Sequence, residues 1–209
     1  MEMREEVAVI ASATSRFTKK EPSIFELSCL PALKIFRETN IDRTEVNSVI
    51  VSTCSMLQYT SSIVCEMLGI RPNKSCRLDN LCNSGSIAIA SACSEIAAGF
   101  SDCALVIGVE IISNSSAKKL EWDLTRGQFN HPVHWASLFA RSHMRKFGTT
   151  EEQMALVAVK NRKNSSKNPL ALFRNKITLE EVINSKKISD PIKLLDSSYV
   201  CSGSSAVIL

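Results

Sequence analysis

"LDNLCNSGSIAIASACSEIAAGF", residues 78–100, decides the fold. Its helical part is apolar almost all the way round, with Ile87, Ala88, Ile89, Ala90, Ala92, Ile96 and Ala97 in quick succession, and Gly99 is placed to stop it. A helix apolar on every side is expected at the centre of a domain. "SCRLDNLC" (75–82) reads as a strand feeding directly into it, and "DCALVIGVE" (102–110) as a fully apolar strand leaving it. Strand, buried helix and buried strand in a row predict an α/β fold with helices packed on a partly parallel sheet.

The same alternation extends towards the amino terminus. "EEVAVIASA" (5–13) reads as a first strand, and "PSIFELSCLPALKIFRETN" (22–40) as a helix, with Ile24, Leu27, Leu33 and Phe36 at helical spacing. "EVNSVIVSTCS" (45–55) is β-branched and short, hence a strand, and "SSIVCEMLGI" (61–70) is a helix ending near Gly69. From about Ile112 to Leu195 the character changes: polar stretches such as "SNSSAKKLEWDLTRGQFNHP" surround helices expected at 134–147, 150–164 and 178–185. The second and third of these open on capping boxes, Thr150-x-x-Gln153 and Thr178-x-x-Glu181. This region reads as a long helical insertion, after which "SAVIL" (205–209) gives a fifth strand.

Bulk composition removes several function classes. Hydrophobic residues make up 44% of the 209, so an ordinary core is expected, and the net charge of +4 does not call for nucleic acid. No RNA-binding signature is present, and only two Tyr and two Trp are available for stacking on bases. Glu2, Glu5 and Glu6 occupy the start, where a secretory signal would carry basic residues, so a cytoplasmic location is expected. No apolar run approaches the roughly eighteen residues needed to span a bilayer. The eight cysteines, at 29, 54, 65, 76, 82, 93, 103 and 201, contain no C-x-x-C pair, which fits reduced thiols rather than disulfides or zinc.

Among these cysteines, position 82 is chemically distinct. Cys82 ends a strand at the first turn of a buried helix, where amide N–H groups and the helix dipole favour an anion and could hold a developing oxyanion. Local pattern leaves two readings open, a nucleophile or one more small core side chain. Cys65, Cys93 and Cys103 lie in apolar runs and read as small hydrophobes, and Cys201 beside Gly203 is ambiguous. His131, His134 and His143 lack partners at metal-ligand spacing, so no metal site is expected. Lys160, Arg162, Lys163, Lys167, Arg174, Lys176, Lys186 and Lys187 make the insertion cationic, as a solvated face or as a docking surface for a phosphorylated carrier. There is no P-loop and no G-x-G-x-x-G turn.

The run "LCNSGSIAIASACSEIAAGFSDCALVIGVEIIS" (81–113) resembles the nucleophile region of thiolases: a C-x-S-G helix start, a buried alanine-rich helix, a glycine and a strand ending in G-V-E. The segment 140–198, with "GTTEEQ", "VAVKN" and "DPIKLLD", is similar to the insertion of the sterol-carrier and archaeal acetyl-CoA acetyltransferase branch. "VAVIASATSRFTKKEPSIFEL" (7–27) resembles the family's first strand, turn and helix. The resemblance covers the whole chain but only half of a thiolase. It implies a mixed five-stranded sheet with helices on both faces and a helical insertion (about 112–195) before the last strand. Residues 1–209 would be the amino-terminal domain, with the carboxy-terminal domain absent.

For function, the resemblance implies an acyltransferase of the acetyl-CoA acetyltransferase type, with Cys82 as the acyl-accepting nucleophile and its own N–H in an oxyanion hole. Coenzyme A thioesters would be substrates, with no permanently bound cofactor. The family's histidine and second cysteine lie in the other half, so the implied partners are a complementary carboxy-terminal half, a second copy of this chain and, in this branch, a hydroxymethylglutaryl-CoA synthase complex. No nucleic-acid or membrane partner is implied. Two departures stand out. The family's S-D-G-A-A-A is here Cys201-Ser202-Gly203-Ser204-Ser205-Ala206, and Asn83 follows Cys82 where a small residue is usual. The rival expectation is a non-catalytic thiolase-like subunit that binds acyl-CoA or scaffolds a complex, or a truncated fragment.

Overall fold

The computed structural model describes residues 6–112 and 131–209. The stretch 113–130, which contains most of the polar "SNSSAKKLEWDLTRGQFNHP", lies outside the described residues. The chain divides into two compact units, one formed by residues 1–115 with 201–209 and the other by 116–200.

The first unit is built on a five-stranded sheet in the order β1-β7-β4-β2-β3, with strands at Ala11–Thr14 (β1), Ser48–Ser52 (β2), Lys74–Leu78 (β3), Ala104–Glu110 (β4) and Gly203–Ile208 (β7). β2 runs parallel to both β3 and β4, whereas β7 is antiparallel to both β4 and β1. The sheet is therefore mixed, as expected. From β2 the chain crosses to β3 through α2 (Thr60–Leu68), then back over β2 to β4 through α3 (Ser84–Ala97). Because such crossovers are right-handed, reversing their direction sends the two helices to opposite faces.

Side-chain alternation divides the core accordingly. Val49 and Val51 of β2, with Leu105 and Ile107 of β4, pack under α2 and α1 (Ile24–Glu38). Ile50, Ala104 and Val106 point the other way, against Ala88, Ala92 and Ile96 of α3. Alanines at the contact let α3 lie close to the sheet. Gly69, at φ +68°, closes α2: its N–H reaches Glu66 O (3.0 Å), and Ile70 N–H reaches Cys65 O (2.9 Å).

α1 contains Pro31 in its interior. A proline there has no N–H for the carbonyl four residues back, which is that of Leu27. The orphaned Leu27 oxygen instead accepts the Ser204 hydroxyl of β7 at 2.6 Å in a buried environment. Ser204 is one of the departures from the family pattern, and this bond gives it a structural reason. Ser202, in the same altered motif, is fully buried; its hydroxyl donates to Lys20 O (2.9 Å) and accepts Ile112 N–H (3.1 Å).

Four expectations need correction, one of them the strand read over 75–82, which runs Lys74–Leu78 and leaves Cys82 in a 3-10 turn because the chain bends at Asp79–Leu81. The first strand begins at Ala11 rather than near Glu5, because Ala11–Thr14 is the stretch that faces β7, and Val9 and Ile10 are left exposed. The last strand begins earlier, at Gly203, and lies between β1 and β4. Most important, α3 is not buried on all sides. Only the stripe Ser84, Ala88, Ala92 and Ile96 is covered, while Ile87 (37% exposed) and Ile89 (41%) face outward.

The second unit contains α4 (Pro132–Phe147), α5 (Glu151–Ser165), α6 (Leu179–Ile183) and a small antiparallel ladder, β5 (Lys187–Ser189) with β6 (Ile192–Lys193). The three predicted helices are present with slightly shifted ends, and the ladder is an addition to them. Both capping boxes form as read: Thr150 with Gln153, and Thr178 with Glu181. Arg141 of α4 and Lys187 of β5 converge on Asp190 (2.5 and 2.7 Å), and the buried Lys193 of β6 pairs with Glu151 of α5.

Candidate active site

The parallel strands β2, β3 and β4 all point their carboxyl ends to one edge of the sheet, where open α/β folds bind ligands. Cys82 lies on this edge. β3 ends at Leu78, a short 3-10 turn spans Leu81–Asn83, and α3 starts at Ser84, so Cys82 precedes the helix by two residues. Its side chain is exposed, unlike Cys29, Cys65 and Cys103, which are buried. An exposed thiol is accessible to a ligand, and the amide-rich start of a helix favours negative charge beside it.

The turn that carries Cys82 is built from local polar contacts. Asp79 Oδ1 accepts Leu81 N–H at 3.0 Å, the Ser84 hydroxyl accepts Asn80 N–H at 2.7 Å and donates to Leu81 O at 2.7 Å, and Asn83 N–H reaches Asn80 O at 3.1 Å. Leu81 sits at φ +50°, a left-handed conformation that costs a non-glycine residue on the order of 1–2 kcal/mol. The surrounding hydrogen bonds offset that cost.

Behind this turn lies the exit of β2, residues Thr53 to Ser55. Arg77 Nη1 donates to Ser55 O (2.5 Å) and Thr53 O (3.3 Å), and Glu110 at the end of β4 accepts Cys54 N–H at 2.9 Å. A guanidinium thus takes the carbonyls of this loop and a carboxylate takes its amide. Burial first, then the negative charges of Asp79 and Glu110, push the Cys54 thiol up to about 11. Cys54 is thereby kept as a neutral thiol at neutral pH. Burial likewise raises the thiols of Cys29, Cys65, Cys76, Cys103 and Cys201, with Cys65 reaching about 11, which fits inert side chains.

Sequence reading singles out Cys82 and assigns no role to Asp79, Ser84, Cys54, Arg77 or Glu110. Asp79 carried a usable signal, since an aspartate two residues before an amide is the pattern of an Asx turn. The contacts of Arg77 and Glu110 bridge separate strands and left no local mark. The histidines sit in the second unit: His134 Nδ1 lies 3.3 Å from Ser189 Oγ, and His143 Nδ1 lies 2.9 Å from Thr149 Oγ1 with its ring 4.7 Å from that of Phe147. Among the described residues, no helix is long and apolar enough to cross a membrane.

Residues 7–209 match the thiolase amino-terminal domain family. The chain is 31% identical over 218 residues to acetyl-CoA acetyltransferase of Methanothermobacter thermautotrophicus, covering 98% of this chain and 56% of that protein. It is 30% identical over 148 residues to sterol carrier protein 2 of Gallus gallus, covering 63% of this chain and 27% of the relative. Among solved structures, the Ltp2-ChsH2(DUF35) aldolase superposes with a TM-score of 0.82 at 24% identity, over 96% of this chain and 54% of that one. The chain spans just over half the length of the archaeal relative. With a mixed five-stranded sheet and a family match over nearly its whole length, the chain belongs to the thiolase family through its amino-terminal domain.

Proposed function

We propose that this chain supplies the nucleophilic half of a thiolase-type acyltransferase. The observation that carries the reading is the exposed Cys82, held on a built turn at the carboxyl edge of the parallel strands and directly ahead of α3. In this scheme the Cys82 thiolate attacks the carbonyl carbon of an acyl-CoA. The Sγ–C bond forms, the bond from that carbon to the CoA sulfur breaks, and the CoA thiolate leaves and takes up a proton. The acyl group then passes to the carbanion of a second acyl-CoA or, in the reverse direction, to CoA.

The histidine and second cysteine that such chemistry uses belong to a carboxy-terminal thiolase half, which would cover the amino-terminal domain beside the nucleophile turn. Support comes from α3, whose outward side leaves Ile87 and Ile89 uncovered beside the nucleophile turn, with Leu81 47% exposed in that turn. Homo-oligomerisation and a hydroxymethylglutaryl-CoA synthase complex belong to the same reading.

The test is co-expression with a candidate second half, followed by thiolysis assays of wild type and Cys82→Ala and mass spectrometry for an acetyl adduct on Cys82. Activity that depends on Cys82, with the adduct on its peptide, is the expected result. Equal rates for the two proteins would remove Cys82 from the mechanism and leave the non-catalytic, CoA-binding or scaffolding subunit as the reading.

A further inference from the structure

The backbone of Leu81 is held from both sides by side chains that flank Cys82. Its N–H is taken by Asp79 and its carbonyl by Ser84, each on the far side of the turn from the other. Ser84 also accepts Asn80 N–H, so a single buried hydroxyl closes the turn twice. Leu81 holds a left-handed φ of +50° with its N–H and carbonyl both bonded in this way, and nothing in its own side chain favours that conformation.

Resting on the reading of Cys82 as acyl acceptor, the geometry points to Asp79 and Ser84 as its positioning residues: they fix Leu81 in the left-handed conformation that presents Cys82 to solvent ahead of α3. Neither residue is asked to touch substrate. The anchor extends inward, because Asp79 lies against the Cys54 thiol, and Cys54 is tied by its N–H to Glu110 at 2.9 Å. The turn is therefore braced against the ends of β2 and β4 as well as against α3.

The measurement is the rate at which iodoacetamide captures Cys82 in the full chain, resolved by peptide and referenced to Cys93 in the same molecule. Asp79→Asn keeps an oxygen that can accept Leu81 N–H, and capture within about twofold of wild type is expected; Asp79→Ala removes the acceptor, and capture falls by about fivefold or more. Hydrogen exchange at Val106 and Ile107 of β4 reports whether each variant keeps its sheet. Unchanged capture in Asp79→Ala, or an equal fall in Asp79→Asn, overturns the assignment.

Where Asp79→Ala loses the sheet, Ser84→Ala carries the test with the same expected fall, and unchanged capture there overturns it equally. Iodoacetamide needs no acyl-CoA. Failure of the turn and failure of the acyl-transfer reading are thus separate results, the second being read from the acetyl adduct alone.

Discussion

Removing the Ser204 hydroxyl should destabilise the first unit, and restoring an N–H at position 31 should cancel most of the damage. Ser204 Oγ donates at 2.6 Å to Leu27 O, the carbonyl that Pro31 cannot serve, and both Ser204 and Leu27 are 3% exposed. Ser204→Ala leaves a buried acceptor unsatisfied, at a cost of about 1–3 kcal/mol. In Pro31→Ala the new amide can reach Leu27 O along the helix, so the same Ser204→Ala change should then cost less by about 1–2 kcal/mol.

The assay is urea unfolding followed by labelling of the buried thiols Cys29 and Cys65. These report on the first unit, whereas Trp122 and Trp135 both lie in segment 116–200. With a slope of roughly 1–3 kcal/mol per molar urea, the single variant shifts the midpoint by about 1 M. Equal cost of Ser204→Ala in the wild-type and Pro31→Ala backgrounds would refute the reasoning, because it would show that the hydroxyl does not stand in for the missing amide.

Other outcomes follow from the same structure. Asn47 Oδ1 accepts the Ser101 hydroxyl (2.6 Å) and the amides of Asp102 (3.2 Å) and Cys103 (3.3 Å), so Asn47→Ala should cost about 2–3 kcal/mol in the same assay, and Asn47→Asp, which keeps the acceptor, clearly less. A Cβ on Gly203 would lie 2.5 Å from the Phe17 ring, so Gly203→Ala should cost about 1–3 kcal/mol, and pairing it with Phe17→Leu should recover part of that. Lys187 and then Arg141 hold the Asp190 carboxyl below its ordinary 3.8, so this link stabilises the second unit above that pH and fades as pH falls through the lower folded value. Hydrogen exchange over 187–193 should accelerate on acidification in wild type and lose that pH dependence in Asp190→Asn. Alkylation at pH 8 should label Cys82 well before Cys54, whose thiol is pushed up to about 11.

The sequence by itself determined the α/β class, the order of the strands and helices of the first unit, both capping boxes and the placement of Cys82 at the start of α3. Each of these is written within a dozen or so neighbouring residues, as hydrophobic period, turn chemistry or motif. Tertiary structure decided the rest. That β7 runs between β1 and β4, that Ser204 serves a carbonyl orphaned by Pro31, and that Glu110 holds Cys54 are pairings between distant segments, and no local pattern records them.

α3 shows the difference most clearly. Its composition announces a helix apolar on every side, but burial is set by what packs against it, and one sheet covers one stripe only. The outward side that carries Ile87 and Ile89 stays exposed for that reason, next to the cysteine that local pattern alone could not tell from a core side chain.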